Sequence, residues 1–294
     1  MSAKSLLLAA LAVFGAAFLV IWIRSIFRDT PSGERLPTIG QVAIGFVTDF
    51  FDTLGIGSFA PTTSIFKLWR IVPDERIPGT LNVGHTPPVL LMAFIFVSSI
   101  DVDLVTLVSM IAMSVVGAWL GAGVVAALPR RTIQIGMAVA LLAAAVFFTM
   151  TNLGLFPAGG EARGLTGWQL GIAGAASFVL GALSTLGIGF YAPCMTLVSL
   201  LGMSPQVAFP IMMGSCAFLM PVASARFIQK RSFSPRPALG LALGGVPAVL
   251  IAAFVVRSLS VTALRWLVVV VVLYTAVVMW RSARGPGESP DAAD

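Results

Sequence analysis

Charge is what this 294-residue sequence has least of: Asp, Glu, Lys and Arg make up 10% of it, against the roughly 25% of a soluble domain. A chain that is 58% hydrophobic, with a mean hydropathy of +0.99, belongs in a membrane. Histidine occurs once, at His85, and cysteine twice, at Cys194 and Cys216, both inside apolar segments. No Cys/His/Asp cluster has metal-ligand spacing, so a structural zinc site is not expected, nor any other metal or cofactor. Two such cysteines build no disulfide framework. There is no HExxH, and no GxSG-type nucleophile is paired with His85, so intramembrane hydrolysis lacks a motif and no enzyme is expected. The net charge of +6 comes from eighteen Lys and Arg scattered singly or in pairs between apolar runs. Such scatter sets membrane topology and makes no nucleic-acid surface.

What the chain does have is a statement made twice. TLGIGSFAP, Thr53 to Pro61, returns 132 residues later as TLGIGFYAP, Thr185 to Pro193. Aligned at that offset without a gap, Phe46 to Pro78 matches Phe178 to Pro210 at twelve of 33 positions, including Pro73 with Pro205 and Pro78 with Pro210. A repeat of this length in so apolar a chain indicates a duplicated membrane module.

Taken in order, Ser5 to Ile23 is an unbroken apolar run closed by Arg24 and Arg28. It has the ~20 residues of a spanning helix and reads as a signal anchor rather than a cleaved signal peptide. Arg24, Arg28 and Arg35 outnumber Lys4 and the amino terminus, which places residues 24–37 in the cytoplasm and the N-terminus outside. Ile39 to Leu54 then breaks at Gly55 and Gly57, and Pro61 restarts a half-helix, Ala60 to Arg70, of only about 16 Å at 1.5 Å per residue. Lys67, Arg70 and Arg76 follow, so the element is expected to enter and leave on one side as a hairpin. Spans are expected at Pro78–Ile100, Leu104–Leu128 and Ile133–Leu153. The second copy repeats the pattern with a half-helix, Ala192 to Gly202, and spans at Val207–Phe227, Leu239–Val256 and Leu264–Trp280. Its basic loops fall where the first copy has non-basic ones, which predicts inverted topology. Arg281 and Arg284 put the C-terminus inside, and Arg257 and Arg265 fit this scheme least well. The expected division is an N-terminal helix and loop (1–37), repeat one (38–153), a Gly/Pro-rich linker (154–167), repeat two (168–283) and a disordered tail (284–294).

Backbone breaks inside a membrane survive where they line a cavity or are buried in protein. Two of them in inverted copies meet near the midplane, with the N-termini of both half-helices aimed at one point, an arrangement suited to an anion. The glycines would also serve close helix packing, but a duplicated GIGxxAP favours the site. Its expected members are Gly55, Gly57, Ser58, Thr62 and Thr63 from the first copy and Gly187, Gly189, Tyr191 and Cys194 from the second, with Ser64 and Thr196 adding hydroxyls. Asn82 and His85 on the next span are further candidates, the histidine for titration near neutrality or donation to an anion. Asp49 and Asp52 are the acids inside an apolar segment; three apart, they share a helix face with Thr53. Their counterparts are Gly181 and Ser184, and because a carboxylate at the bilayer centre costs roughly 2.5–3.5 kcal/mol on insertion scales, one of them is expected to bind a coupling proton or cation. Shallow placement or capping of the broken helix are the alternatives. Lys67 and Arg226 are expected to snorkel, and Trp69, Trp168 and Trp266 to sit in the interfacial belt. The glycine-rich face Gly117 to Gly123 suits packing within one chain or between two, which raises a homodimer.

With LGIGSFAP and LGIGFYAP each opening a half, and Pro73 and Pro205 downstream, the sequence resembles the TauE/SafE family of sulfite exporters, from about Ile39 to Trp280. Members often carry a third glycine after GIG, where Ser58 and Phe190 stand here. The resemblance implies an all-α integral membrane protein of the bacterial inner membrane that moves sulfite, sulfonates or related sulfur-containing organic anions. Read with the residues, it points to a secondary transporter working by alternating access, with a passive anion channel as the alternative.

Overall fold

The computed structural model describes residues 3–29, 31, 35–155, 159–187, 189–254 and 262–284. Ile188, Arg257, the centre of the linker (156–158) and the tail from 285 onward lie outside the described residues, as does the side chain of Arg265. The first helix, α1 (Ala3–Asp29), precedes two sets of five. The first set is α2 (Ile39–Thr53), α3 (Phe59–Leu68), α4 (Ile77–Ser99), α5 (Leu104–Val125) and α6 (Arg130–Asn152). The second is α7 (Gly167–Ser184), α8 (Tyr191–Leu200), α9 (Ala208–Gln229), α10 (Pro235–Phe254) and α11 (Thr262–Arg284). No β-strand occurs among the described residues, only an isolated bridge between Ala162 and Met203. Among the described residues, seven helices are long and apolar enough to cross a membrane. The last helix includes Arg284, which the sequence reading had placed in the tail.

The two short helices follow from their glycines and prolines. Helix α2 opens on a capping box, Thr38 with Gln41. It stops where Gly55 turns to φ 88°, its amide donating to Asp52 O at 2.8 Å while Ile56 N reaches Phe51 O at 3.1 Å. That pair of bonds is a Schellman cap, which needs a residue at ease in the left-handed region. Gly187 also turns to positive φ, 95°, and donates to Ser184 O at 3.0 Å. Pro61 and Pro193 each sit third in the helix that follows, where a missing N–H costs no helical bond.

Neighbouring contacts give the helix directions. Gly79 lies against Phe227 and Ser232, and Gly214 against Val97, so α4 and α9 run antiparallel. Thr80 accepts from Ser234 N, and Gly84 packs on Ala238, so α10 runs with α4. Gln41 meets Gly240 and Asp49 meets Gly245, so α2 runs with both. On the other side Gly117 packs on Phe178, Gly121 on Ala182 and Ile111 on Gly214, while Lys230 Nζ reaches Gly123 O, so α5, α7 and α9 share the opposite direction. The α2–α3 hairpin therefore opens on the end where α4 and α10 begin, and α7–α8 opens on the other. At the first end Arg231 pairs with Asp29 at 3.0 Å and Arg236 Nε donates to Leu36 O. At the second, Lys4 meets Asp101 and Gly160 donates to Met203 O.

Two seams set the distances. A methyl on Gly244 would fall 1.9 Å from Val42 O, and one on Gly117 would fall 1.9 Å from Phe178 O, so the α2/α10 and α5/α7 pairs touch backbone to backbone. Gly117 and Gly121 of the glycine-rich face are thus used within the chain, one of the two packings that the face suited. One expectation is corrected. Lys67 does not snorkel: it is half-buried and pairs with Asp74, which also accepts from Gln134 Nε2 at 2.7 Å, because a buried carboxylate draws the nearest donors inward. Arg226 lies 4.7 Å over the Trp119 ring, a cation–π contact on α5 that competes with solvent. Trp69 and Trp168 are exposed, as a belt requires.

Candidate functional site

The two breaks face one another across the middle of the fold and enclose a cavity of about 30 Å³. By the ~10–15 Å³ that one water requires, it has room for about two. Its walls restate the repeat. Asp52 stands with Ser184, Gly57 with Gly189, Ser58 with Phe190 and Phe59 with Tyr191, each pair 132 residues apart. Val89 from α4 and Cys216, Leu219 and Met220 from α9 complete it. A second cavity of about 30 Å³ lies on the α6 side of the crossing, bounded by Gly57, Phe59, Gly189 and Tyr191 again and by the alanines Ala140, Ala143 and Ala144. The glycines and aromatic residues at the two helix starts therefore form the partition between two small spaces.

The ends of α3 and α8 are not equivalent. Asp52, 2% exposed, accepts from Ser58 Oγ at 2.9 Å through Oδ2, and the Ser58 amide bonds the same carboxylate. An acid thus occupies the positive end of α3, a favourable place for it, while its Oδ1 has no hydrogen-bond partner among the described residues. Ser184 at the equivalent position donates back to Gly181 O on its own helix, leaving the start of α8 without an acid.

Asp49, three residues before Asp52, points elsewhere. His85 Nδ1 lies 2.9 and 3.0 Å from its two carboxylate oxygens, and His85 Nε2 lies 3.1 Å from Thr62 Oγ1. The network closes when Nδ1–H donates to the carboxylate and the Thr62 hydroxyl donates to Nε2, an assignment made from the partners. Three helices, α2, α4 and α3, are joined by it at residues that are 0% exposed. Its counterparts in the second half are Gly181, Ala217 and Cys194, so that half carries no part of the chain of bonds. Carboxylate, imidazole and hydroxyl in this order have the connectivity of a hydrolytic triad, a partnership that sequence reading had denied to His85. None of the three lines either cavity, so the hydroxyl has no visible route to a substrate.

Of the other expected members, Gly55 and Gly187 shape the breaks, and Gly187 lies near Thr63. Among the described residues, the buried Thr63 Oγ1 has no partner. Ser64 bonds Ala60 O on its own helix. Asn82 donates to Pro78 O, and its Oδ1 likewise has no partner among the described residues. Tyr191 donates to Met213 Sδ at 2.9 Å. Cys194 is buried and lines neither cavity. Sequence reading missed Ser184, Phe59 and Cys216. The offset of 132 identifies the first two as partners of Asp52 and Tyr191; nothing local marks Cys216, which arrives on α9 from outside both motifs.

Compared with known families, the chain matches the family described as "Sulfite exporter TauE/SafE" over residues 2–148 and 170–293. Comparison with curated proteins and with solved structures gave no match.

Proposed function

Because this chain belongs to the sulfite exporter TauE/SafE family, a family of transporters, we propose that it is a secondary carrier of sulfite or a small organosulfonate, working by alternating access about the central cavity. The observation that carries this reading is the cavity wall itself, in which four positions of one half meet the same four positions of the other. A site on the pseudo-symmetry element can be offered to either face by exchanging the conformations of the two halves. Inverted topology is part of the proposal. It is supported by the antiparallel course of α4 and α9 and by hairpins that open at opposite ends of the molecule.

The substrate is held where the breaks leave backbone amides at the starts of α3 and α8, in the company of Gly57, Ser58, Gly189 and Tyr191. One of Asp49 and Asp52 is the coupling group. The protein sits in the bacterial inner membrane with the end that carries Arg28, Arg76, Arg130, Arg231 and Arg236 in the cytoplasm, the N-terminus outside and the C-terminus inside. A cavity with room for about two waters supports a carrier over an open anion channel.

Counterflow tests this. Proteoliposomes of the purified protein preloaded with sulfite should accumulate radiolabelled sulfite transiently. Flux that ignores the internal load would point to a channel, and absence of flux with sulfite and with organosulfonates would reject the anion carrier.

A further inference from the structure

The central cavity presents a contradiction for an anion site: among the described residues its one charged side chain is an acid, and no Lys or Arg lines it. The ionisable groups that face Asp52 are Asp49 on its own helix, His85 on α4, Tyr191 on α8 and Cys216 on α9. Asp49 and His85 satisfy each other and Tyr191 is bonded to Met213. From α7 comes only Ser184, committed to its own helix. Two negative charges about 4 Å apart at an effective dielectric of about 20 would weaken binding roughly a thousandfold, so an ionised Asp52 and a bound oxyanion exclude one another.

Resting on the carrier reading above, we propose that Asp52 binds the transported proton in the same cavity as the anion, its free Oδ1 becoming the O–H that donates to the substrate oxyanion. Two independent features point to a ligand there: the starts of two ten-residue helices and, on the wall of the cavity, the Oδ1 of Asp52, a residue 2% exposed, with no partner among the described residues. When the cavity is empty the carboxylate itself holds the start of α3 through Ser58 and acts as an internal stand-in for the anion. When substrate arrives, one proton joins Asp52; no bond other than this O–H is made or broken. A monoanionic sulfonate then crosses with one proton and no net charge. Asp49 takes no part, because His85 already occupies both its oxygens and neither residue reaches the cavity.

Methanesulfonate is the probe, since it stays singly charged throughout the range in which a carboxylic acid titrates. Added to the full-length protein in weakly buffered detergent solution, it should cause uptake of up to one proton per chain, read with a pH indicator. Its affinity should fall by up to about a thousandfold from acidic to alkaline buffer. In Asp52→Asn the uptake should vanish and the affinity become flat with pH, while Asp49→Asn keeps the uptake. Asp52→Ser, which installs the residue of the equivalent position in the second half, should behave as Asp52→Asn and covers the case in which the amide disturbs folding. Wild-type binding without proton uptake, or an Asp52 variant that retains it, overturns the inference while leaving the carrier intact. Failure of wild-type protein to bind or exchange any sulfur oxyanion overturns the carrier reading, and the inference falls with it.

Discussion

Replacing His85 by alanine strips the Asp49 carboxylate of the one donor that the described residues give it. Both carboxylate oxygens lie within 3.0 Å of Nδ1, and both residues are 0% exposed. Two terms compete to set the cost. Losing a hydrogen bond between membrane helices is worth about 0.6–1.7 kcal/mol. Stranding a buried charge is worth about 3–5 kcal/mol, so the second dominates. His85→Ala should therefore lose about 3–5 kcal/mol, a deficit that shrinks in acidic buffer, where a proton on Asp49 removes the stranded charge. Pairing it with Asp49→Asn should recover at least about 1.3 kcal/mol, the smallest difference between the two terms. The variant Asp49→Gly with Thr62→Cys and His85→Ala, which copies Gly181, Cys194 and Ala217, should likewise be more stable than His85→Ala alone. Unfolding midpoints in mild detergent with added denaturing detergent, followed by tryptophan fluorescence, give the double-mutant cycle. Additive single substitutions, or a His85→Ala protein as stable as the wild type, would show that the pair is not the buried charged unit described here.

Other expectations are simpler. Gly244→Val drives α2 and α10 apart, because its methyls would meet Val42 O and Phe46 N, which are backbone; monodisperse yield should collapse, whereas Gly123→Ala, with nothing within 4 Å, should purify normally. Gly57→Ala meets no neighbour but sits at φ 89°, so it should cost about 1–2 kcal/mol and slow counterflow by distorting the partition; an unchanged rate would show that the break tolerates a side chain. Lys67→Met removes one of the donors to Asp74, which is 5% exposed and keeps Gln134 and Arg130, and should lower stability by about 1.5–3 kcal/mol. Adding Asp74→Asn should return most of it in the same unfolding assay.

Much of the fold was legible because a membrane leaves the backbone few choices. Apolar runs of spanning length foretold α4, α5, α6, α9 and α10 to within about four residues, and α1 fell six short at its C-terminal end, while the GIG and Ala-Pro elements marked both broken hairpins. Packing inside the bundle was much less legible. Helices in lipid lack a hydrophobic drive toward one another, so pairing is decided by small residues and polar contacts that only the assembled bundle brings together. Gly117 and Gly121 had suited another subunit as well as α7, and Lys67 had the composition of a surface residue until Asp74 and Gln134 closed on it.

Sequence alone determined that this is a membrane chain of two related halves, each interrupted at the same glycines, because hydropathy and the repeat are properties of order along the chain. The tertiary structure decided which side chains meet. It separated two aspartates only one turn apart, giving Asp49 to His85 from 36 residues away and Asp52 to the start of α3 and the cavity. That choice depends on where α4 and α9 cross the breaks, a long-range geometry that no local spacing encodes.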